Sequence, residues 1–458
     1  VPHKGAAEGV ATLRQAGLVS RDDETDDRAA RLRFPDPEVV AAVGFSMLPA
    51  QRRQVHGRIS EALRPRARKE SRWLPVLADQ LQRSGQIAAA WPMLVEAAHR
   101  ALRLRQTELA WTWLHRAMET RGVGEPAMDL LTRQHTRVHL YAVEGALWAL
   151  QQAWGRAAEA WQQGVESAVA AGDAEAERRS RVGLTQALLG MGMFGAALEA
   201  SEGALTGLGR GDPSWPRAIA LRAVLQLTQG DSAAAADGWR ALADFGEEVG
   251  QAATQGNALA WLAEIACLEA RWDEARARAE EGLTRRGLPD ADRVRLLSVM
   301  LAAASARGAS GEVQTHASAA LALAADGATR REPLVAAAAL SLCRNLLDAG
   351  LIAEARAALP SEALLSADPL DAPRAQRLAL GARLELTHSP VEAAQRARQA
   401  RLLPLPRLPW LAALCALDLA SAQEPAAPDD ARTSAALARE SLPAAGLDGL
   451  RRRIERSP

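Results

Sequence analysis

Two histidines one helical turn apart are the first residues in this sequence that could do chemistry. On a helix, His135 and His139 would face the same side and could supply one edge of a metal site. No Glu follows the first His, and no third ligand lies nearby at a suitable spacing. The sequence therefore favours the interpretation that His135 and His139 are ordinary side chains on the surface or in the groove. For His56 it favours a role in packing or helix capping.

Cysteine chemistry is the second candidate. The three cysteines lie far apart in the sequence and form neither a metal-ligand spacing nor an obvious disulfide framework. On apolar helix faces, a buried thiol is the simpler interpretation of Cys267 and Cys343. We therefore expect a reducing, cytoplasmic setting and no cofactor or metal bound by this chain.

Charged runs are the third candidate. The densest basic run, residues 64–72, could meet nucleic acid or a phosphate, but it has no interleaved aromatic residues and is expected to be an exposed linker. The acidic run at 22–27 is expected to be a solvated wing tip, or to pair with a missing ATPase module. The formal net charge is zero, with 55 basic and 55 acidic residues. Composition thus favours neither nucleic acid nor a membrane as partner.

Catalytic motifs are missing from the sequence. No nucleophile with a partnered base stands out, and no Gly-x-x-x-x-Gly-Lys phosphate-binding loop occurs. We therefore expect no enzyme within this chain. The chain begins at Val1 without an initiator Met or a signal peptide, so we expect it to be a piece of a longer protein.

The elements that position any site follow from a repeat of about forty residues. An alanine recurs near the expected start of the second helix of successive helix pairs, with valine as a substitute once, at Ala157, Ala197, Ala235, Ala275, Val313, Ala355 and Ala393. Such a period predicts stacked helix pairs, an α-solenoid. The last clear repeat is the one at Ala393. The Pro-rich stretches are expected to be loops or local irregularities, at 360–373, 404–409 and 422–429.

The first part of the chain has a different pattern. It predicts a short strand over 31–34 among helices at 6–16, from Pro37 and over 49–63, a combination that suggests part of a winged helix. A linker is expected at 122–126.

Polar residues on the first helix of each pair, helix A, are the candidate binding residues. Helix A lines the concave face of such solenoids, so a protein or peptide partner, or a small inducer, is expected in that groove. The candidates in or beside inward-facing positions, for which ordinary solvation is the simpler interpretation, are Gln186, Asn257, Glu264, Arg344 and Asn345, with Gln226 if the helix register holds.

The repeats resemble tetratricopeptide repeats of the longer, forty-residue kind. The small residue of helix A and the Ala of helix B are matched in three pairs, Gly145/Ala157, Ala263/Ala275 and Gly381/Ala393. Residues 6–120, through the segments at 13–19, 32–34, 48–63, 85–90 and 107–110, resemble a part of the bacterial STAND-class signal-transduction ATPases. That class includes maltose-regulon-type activators and ATPase-linked kinases and cyclases.

The STAND resemblance implies an order of modules. In that class a winged helix follows the nucleotide-binding module, and a repeat arm follows the winged helix. Two features depart from it: Pro35 and Asp36 stand where the family often has His, and no DNA-reading helix-turn-helix is evident after residue 430. An upstream nucleotide-binding module is therefore implied as a partner in the full-length protein.

We thus predict an all-α fold, a TPR-like α-α superhelix preceded by a partial winged helix. The predicted domains are a winged-helix module over 1–68, a connector with the first repeats over 69–125, and the solenoid over 126–458. The predicted function is the regulatory arm of a signal-transduction ATPase. A scaffold without switching and a DNA-binding regulator remain alternatives.

Overall fold

The computed structural model describes most of the chain. The described residues are 15, 20–22, 31–33, 38, 47–325, 333–360, 373–386, 388–402, 409–442 and 447–455. The chain divides into an N-terminal unit, Val1–Val143, and a C-terminal unit, Glu144–Pro458. This division falls inside one long helix, whereas the predicted domain boundaries at 68 and 125 stay predictions.

A short hairpin comes first in the N-terminal unit. Strand β1, Ser20–Asp22, pairs antiparallel with strand β2, Arg31–Arg33. The strand predicted over 31–34 is therefore present in its described part, while β1 was not predicted. The helix from Pro37, most of the helix at 6–16 and most of the acidic run lie outside the described residues, so the winged helix stays a prediction.

Helices make up the described remainder of the N-terminal unit. They are α1 (Pro49–Lys69), α2 (Leu74–Arg83), α3 (Ile87–Arg103) and α4 (Thr107–Gly124), with 3₁₀ turns at Ser71–Trp73 and Glu125–Ala127.

The basic run 64–72 was predicted to be an exposed linker; its described side chains are exposed except for Ala67, but it is not a linker. Helix α1 continues through most of it, to Lys69, because Ala67 is almost fully buried and packs in the core of this unit. The Arg66 guanidinium lies 5.7 Å from the ring centroid of Trp73, so part of this charge covers an aromatic ring.

The linker predicted at 122–126 is also wrong. Helix α4 continues to Gly124, and the 3₁₀ turn that follows is held by Glu125, which is 8% exposed. Its carboxylate accepts a hydrogen bond of 2.7 Å from Arg121 Nε and pairs with Arg137. A buried acid with two arginine partners fixes this turn.

Antiparallel helix pairs build the C-terminal unit, as the period predicts. The first helix, α5, begins in the N-terminal unit and ends in the C-terminal unit. The helices are α5 (Leu130–Leu150), α6 (Trp154–Ala171), α7 (Ala174–Gly190), α8 (Phe194–Leu205), α9 (Trp215–Thr228), α10 (Ser232–Glu248), α11 (Ala252–Leu268), α12 (Trp272–Leu283), α13 (Asp290–Ala306), α14 (Ser310–Ala325), α15 (Pro333–Asp348), α16 (Ile352–Ala358), α17 (Pro373–Glu385), α18 (Pro390–Arg401), α19 (Pro409–Gln423), α20 (Pro428–Ser441) and α21 (Asp448–Glu455). The TPR-like α-solenoid is thereby confirmed.

The recurring small residues occupy one position in every pair. Each is the fourth residue of its helix B, and each is buried. The series also extends beyond Ala393, because Ala431 is the fourth residue of α20 and is 1% exposed. The stretch 422–429, predicted to be a loop or local irregularity, thus holds the end of α19, a short turn and the start of another helix B. Pro428 fits there because the first turn of a helix tolerates a missing N–H.

Glycines set the distance between neighbouring helices. A Cβ on Gly145 in α5 would lie 2.7 Å from Trp161 Nε1, and one on Gly183 in α7 would lie 2.3 Å from Trp161 Cδ2. The indole of Trp161 therefore fills the space that two glycines leave, one on each side of α6.

The last helices of the C-terminal unit pack against its middle helices. Trp239 in α10 stacks on Trp261 in α11 with ring centroids 5.3 Å apart, and Trp410 in α19 meets Trp261 edge-on at 6.5 Å. Leu450 and Ile454 of α21 are buried in the same cluster. Among the helices that the structure describes, none combines the length and the hydropathy that a membrane span requires.

Candidate functional site

A cavity of about 800 Å³ lies among the A helices of the C-terminal unit. Helices α11, α13 and α15 supply most of its wall, α17 and α19 contribute one residue each, and α21 closes one side. Successive A helices thus line this surface, as the sequence predicts for the concave face.

A chain of ion pairs crosses one wall of the cavity. Arg344 Nε donates to Asp418 Oδ2 at 2.7 Å, and Arg383 Nη1 donates to the other oxygen of Asp418 at 2.7 Å. Arg383 Nη2 donates to Asp348 Oδ1 at 2.9 Å, and Arg453 Nη2 donates to Asp348 Oδ2 at 2.6 Å. Three guanidiniums and two carboxylates therefore alternate across α15, α17, α19 and α21.

These partners keep the ion-pair chain charged. Burial alone would raise the pKa of Asp348, but Arg453 and Arg383 outweigh it and hold that pKa below its usual value. Burial alone would lower the pKa of Arg344 and of Arg383, but Asp418 raises both. These three groups are therefore ionised at neutral pH.

A second set of contacts involves α11, α13 and Asn345 of α15. Arg295 Nε lies 3.4 Å from Glu264 Oε2, and the Arg295 guanidinium lies 4.9 Å from the ring centroid of Trp261. Asn345 Nδ2 donates to the Oγ of Ser298 at 2.8 Å and to its carbonyl oxygen at 3.1 Å. Arg295 is therefore a cation whose ion pair is longer than those of the ion-pair chain, and Asn345 adds a polar group beside it.

Cysteine chemistry is not favoured. Burial raises the pKa of the Cys267 and Cys343 thiols to about 12, so both are protonated at neutral pH. Cys343 and Cys415 are buried, as predicted for Cys343, while Cys267 is half-buried on the cavity wall. The Cys343 thiol donates to the carbonyl oxygen of Ala355 at 3.3 Å, which ties helix A to helix B.

Three of the predicted binding residues lie together. Glu264, Arg344 and Asn345 line the cavity, on α11 and α15. Arg344 is 3% exposed, so it is held in the wall by Asp418 and is not a freely solvated side chain.

The other three predicted residues do not line this cavity. Asn257 Nδ2 donates to both oxygens of Asp292, at 3.1 and 3.3 Å, and so joins α11 to α13. Gln186 and Gln226 are half-buried on α7 and α9, and the Gln226 Oε1 atom is buried without a hydrogen-bond partner. Their binding roles stay predictions.

Sequence reasoning missed most of the ion-pair chain. Arg383 precedes Ala393 by ten residues, as Asn345 precedes Ala355. Arg383 therefore occupies the same position of its repeat as a predicted residue, and the period could have identified it. Arg453 lies in α21, beyond the repeats, where the period carries no information.

The histidine candidates lie in the N-terminal unit. The rings of His139 and His99 are 6.0 Å apart, and His56 Nδ1 lies 2.7 Å from Gln80 Oε1. Over the described ranges, no group of three His, Cys, Asp or Glu side chains is placed to hold a metal ion.

Comparisons with known proteins concern the fold alone. No protein-family model and no curated protein matches this chain. It is similar to the crystal structure of NprR in complex with its cognate peptide NprX, at 13% identity over 76% of this chain and 98% of that one, with a TM-score of 0.44. It is also similar to a Rap protein complexed with competence and sporulation factor, at 10% identity over 89% and 98%, TM-score 0.42. The APC/C hetero-tetramer Cut9–Hcn1 matches at 14% over 86% and 85%, TM-score 0.36.

Proposed function

We propose that this chain is the sensing arm of a larger signal-transduction ATPase, and that its A-helix surface binds a protein or peptide partner or a small inducer. The observation that carries the proposal is the cavity on that surface, where charged, polar and apolar groups converge from five repeats and from α21. Such a combination is typical of ligand sites. The ATPase context is supported by the STAND resemblance of residues 6–120.

The proposed mechanism is a population shift. A ligand between α11, α13 and α15 contacts several repeats at once, so it stabilises one packing of these helices over another. That difference in binding free energy biases the attached ATPase between two states. A scaffold without switching would bind its partner with no such coupling.

Two measurements test this proposal. The gene sequence upstream of the Val1 codon is expected to encode a phosphate-binding loop, and its absence would remove the ATPase switch. In the full-length protein, hydrogen exchange of α11, α13 and α15 is expected to differ between ADP and a non-hydrolysable ATP analogue. Identical exchange in both nucleotide states would favour the scaffold.

A further inference from the structure

The cavity has more cationic than anionic groups on its wall. Arginines that line it outnumber acidic residues by five to two. Asp418, at 2% exposure, lies behind the wall and orients Arg344 and Arg383 from the protein side. The ion-pair chain therefore holds one more guanidinium than carboxylate, and this surplus charge is on the cavity side.

One guanidinium donor in the wall has no partner among the residues that the structure describes. Arg344 is 3% exposed and gives its Nε to Asp418, but its Nη2 is buried and no described residue accepts from it. A buried donor without an acceptor is costly, and a charged one more so. The position therefore favours an acceptor that the protein itself does not supply.

Apolar groups surround these cations. Val299, Leu347, Leu414 and Leu450 line the same cavity as the arginines. A ligand that contacts both the arginines and the apolar residues of this cavity would have one anionic end and an apolar body.

We propose that this cavity binds a small monocarboxylate with an apolar tail, with its carboxylate held by Arg344 and Arg295. The cationic surplus of the wall favours an anion, and a guanidinium fork matches the planar geometry of a carboxylate. A free acid and the carboxyl terminus of a peptide share this chemistry. The inference rests on the proposed function, because it names the ligand class of the same surface.

Paired probes test the charge requirement. Titration calorimetry on the full chain compares 4-phenylbutyrate with 4-phenylbutanamide. It also compares a tripeptide of alanine and leucine that has a free carboxyl terminus with the same tripeptide amidated at that terminus. Each acid is expected to bind at least about tenfold more tightly than its amide, because a charge-assisted hydrogen bond is lost in the amide. The stronger of the two acids identifies the source. Inorganic phosphate binding as tightly as either acid would contradict the choice of a carboxylate.

Matched variants test the position. Arg295→Gln and Arg344→Lys are each expected to weaken acid binding about tenfold, and the lysine keeps a charge beside Asp418 so that the fold persists. Arg293→Gln is the control, since Arg293 lies on the same helix as Arg295, is not among the residues that line the cavity and pairs with Asp290 at 3.7 Å. Circular dichroism confirms folding of each variant.

Besides tight binding of inorganic phosphate, three results would overturn the inference. They are equal binding of acid and amide, no binding of any probe to the wild-type chain, and an equal loss in the Arg293→Gln control. The proposed function is judged separately, by the upstream sequence and the nucleotide-dependent hydrogen exchange. A sensing arm that passes those tests while failing these would take an uncharged or cationic ligand.

Discussion

At the scale of single residues, the close approach of helices around Trp161 makes a sharp prediction. Gly183→Ala would place a methyl group 2.3 Å from the centre of the indole. Overpacking a core in this way costs about 1–3 kcal/mol, so the free energy of unfolding in urea is expected to fall by that amount.

Gly155→Ala is the control for this substitution. A Cβ on Gly155, in the same helix as Trp161, would meet no atom within 4 Å. Ala has the higher helix propensity, so this variant is expected to match the wild type or exceed it by up to about 1 kcal/mol. If Gly183→Ala also left stability unchanged, the ring would have moved aside and the glycine would not set the helix spacing.

The buried carboxylate of Asp418 gives a second residue-scale prediction. Asp418→Asn leaves Arg344 without its charge partner and removes one of two from Arg383, inside the protein. Breaking a buried ion pair from one side costs about 3–5 kcal/mol, which chemical unfolding measures. Asp429→Asn is the control, because Asp429 is 89% exposed and its pair is expected to contribute under about 1 kcal/mol. Equal losses in both variants would show that burial does not set the strength of these pairs.

Asp348 predicts a pH dependence of stability. The pKa of Asp348 in the folded protein lies below its unfolded value of about 3.9. Its contribution is therefore fully present above pH 4 and is lost as the pH falls through the folded pKa. Asp348→Asn should be less stable than the wild type at pH 7, and the gap in urea midpoints should shrink below pH 4. A gap that is constant with pH would exclude a charge effect.

At the scale of elements, the register of the repeats was predictable and the irregular helices were not. Small residues at the fourth position of each helix B, such as Ala157 and Ala275, identified the helix pairs. They recur because the helices pack so closely there that a large side chain does not fit. Residues 64–72 were misjudged because packing of Ala67 outweighs a local pattern of charges and one proline. Tertiary packing of this kind leaves no local signal.

The candidate site was predictable only in part, for a related reason. Arg344 belongs to a repeat and was found, but its partner Asp418 lies 74 residues later. Asp348 and Arg453 are 105 residues apart. No spacing in the sequence encodes contacts between elements so distant along the chain.

The packing of α21 against the end of α11 gives a prediction at the element scale. A Cβ on Gly449 would lie 2.3 Å from the carbonyl oxygen of Leu268, in backbone that cannot yield as a side chain can. Gly449→Val is therefore expected to displace α21 and to raise the rate of proteolysis within residues 447–455. Glu455→Ala, an exposed position of the same helix, is the control and should leave the rate unchanged. Equal protection of both variants would show that α21 does not depend on this contact.

At the scale of the whole molecule, the C-terminal unit departs from a simple linear array. In such arrays each repeat contacts only its neighbours, and a local defect stays local. Here Trp410 of α19 contacts Trp261 of α11, and α21 lies in the same cluster. Late and middle repeats therefore share one core.

This shared core predicts long-range coupling. Trp410→Ala removes a side chain that is 1% exposed, a change that costs about 3–5 kcal/mol in a protein core. Hydrogen exchange followed by mass spectrometry should then become faster in α19 and also in α10 and α11, although about half of the unit lies between them in sequence.

Trp154→Ala distinguishes such coupling from general loosening. Trp154 begins α6, and its ring occupies the space above Gly190 at the other end of the unit. Its removal should speed exchange in α6 and α7 and leave α19 to α21 unchanged, because Trp154 is not a member of the shared core. If Trp410→Ala altered only α19 and α20, the unit would behave as a linear array. In that case α21 would still be held by the ion-pair chain and the tryptophan cluster. A change in the late repeats would, however, not alter the A helices that line the cavity.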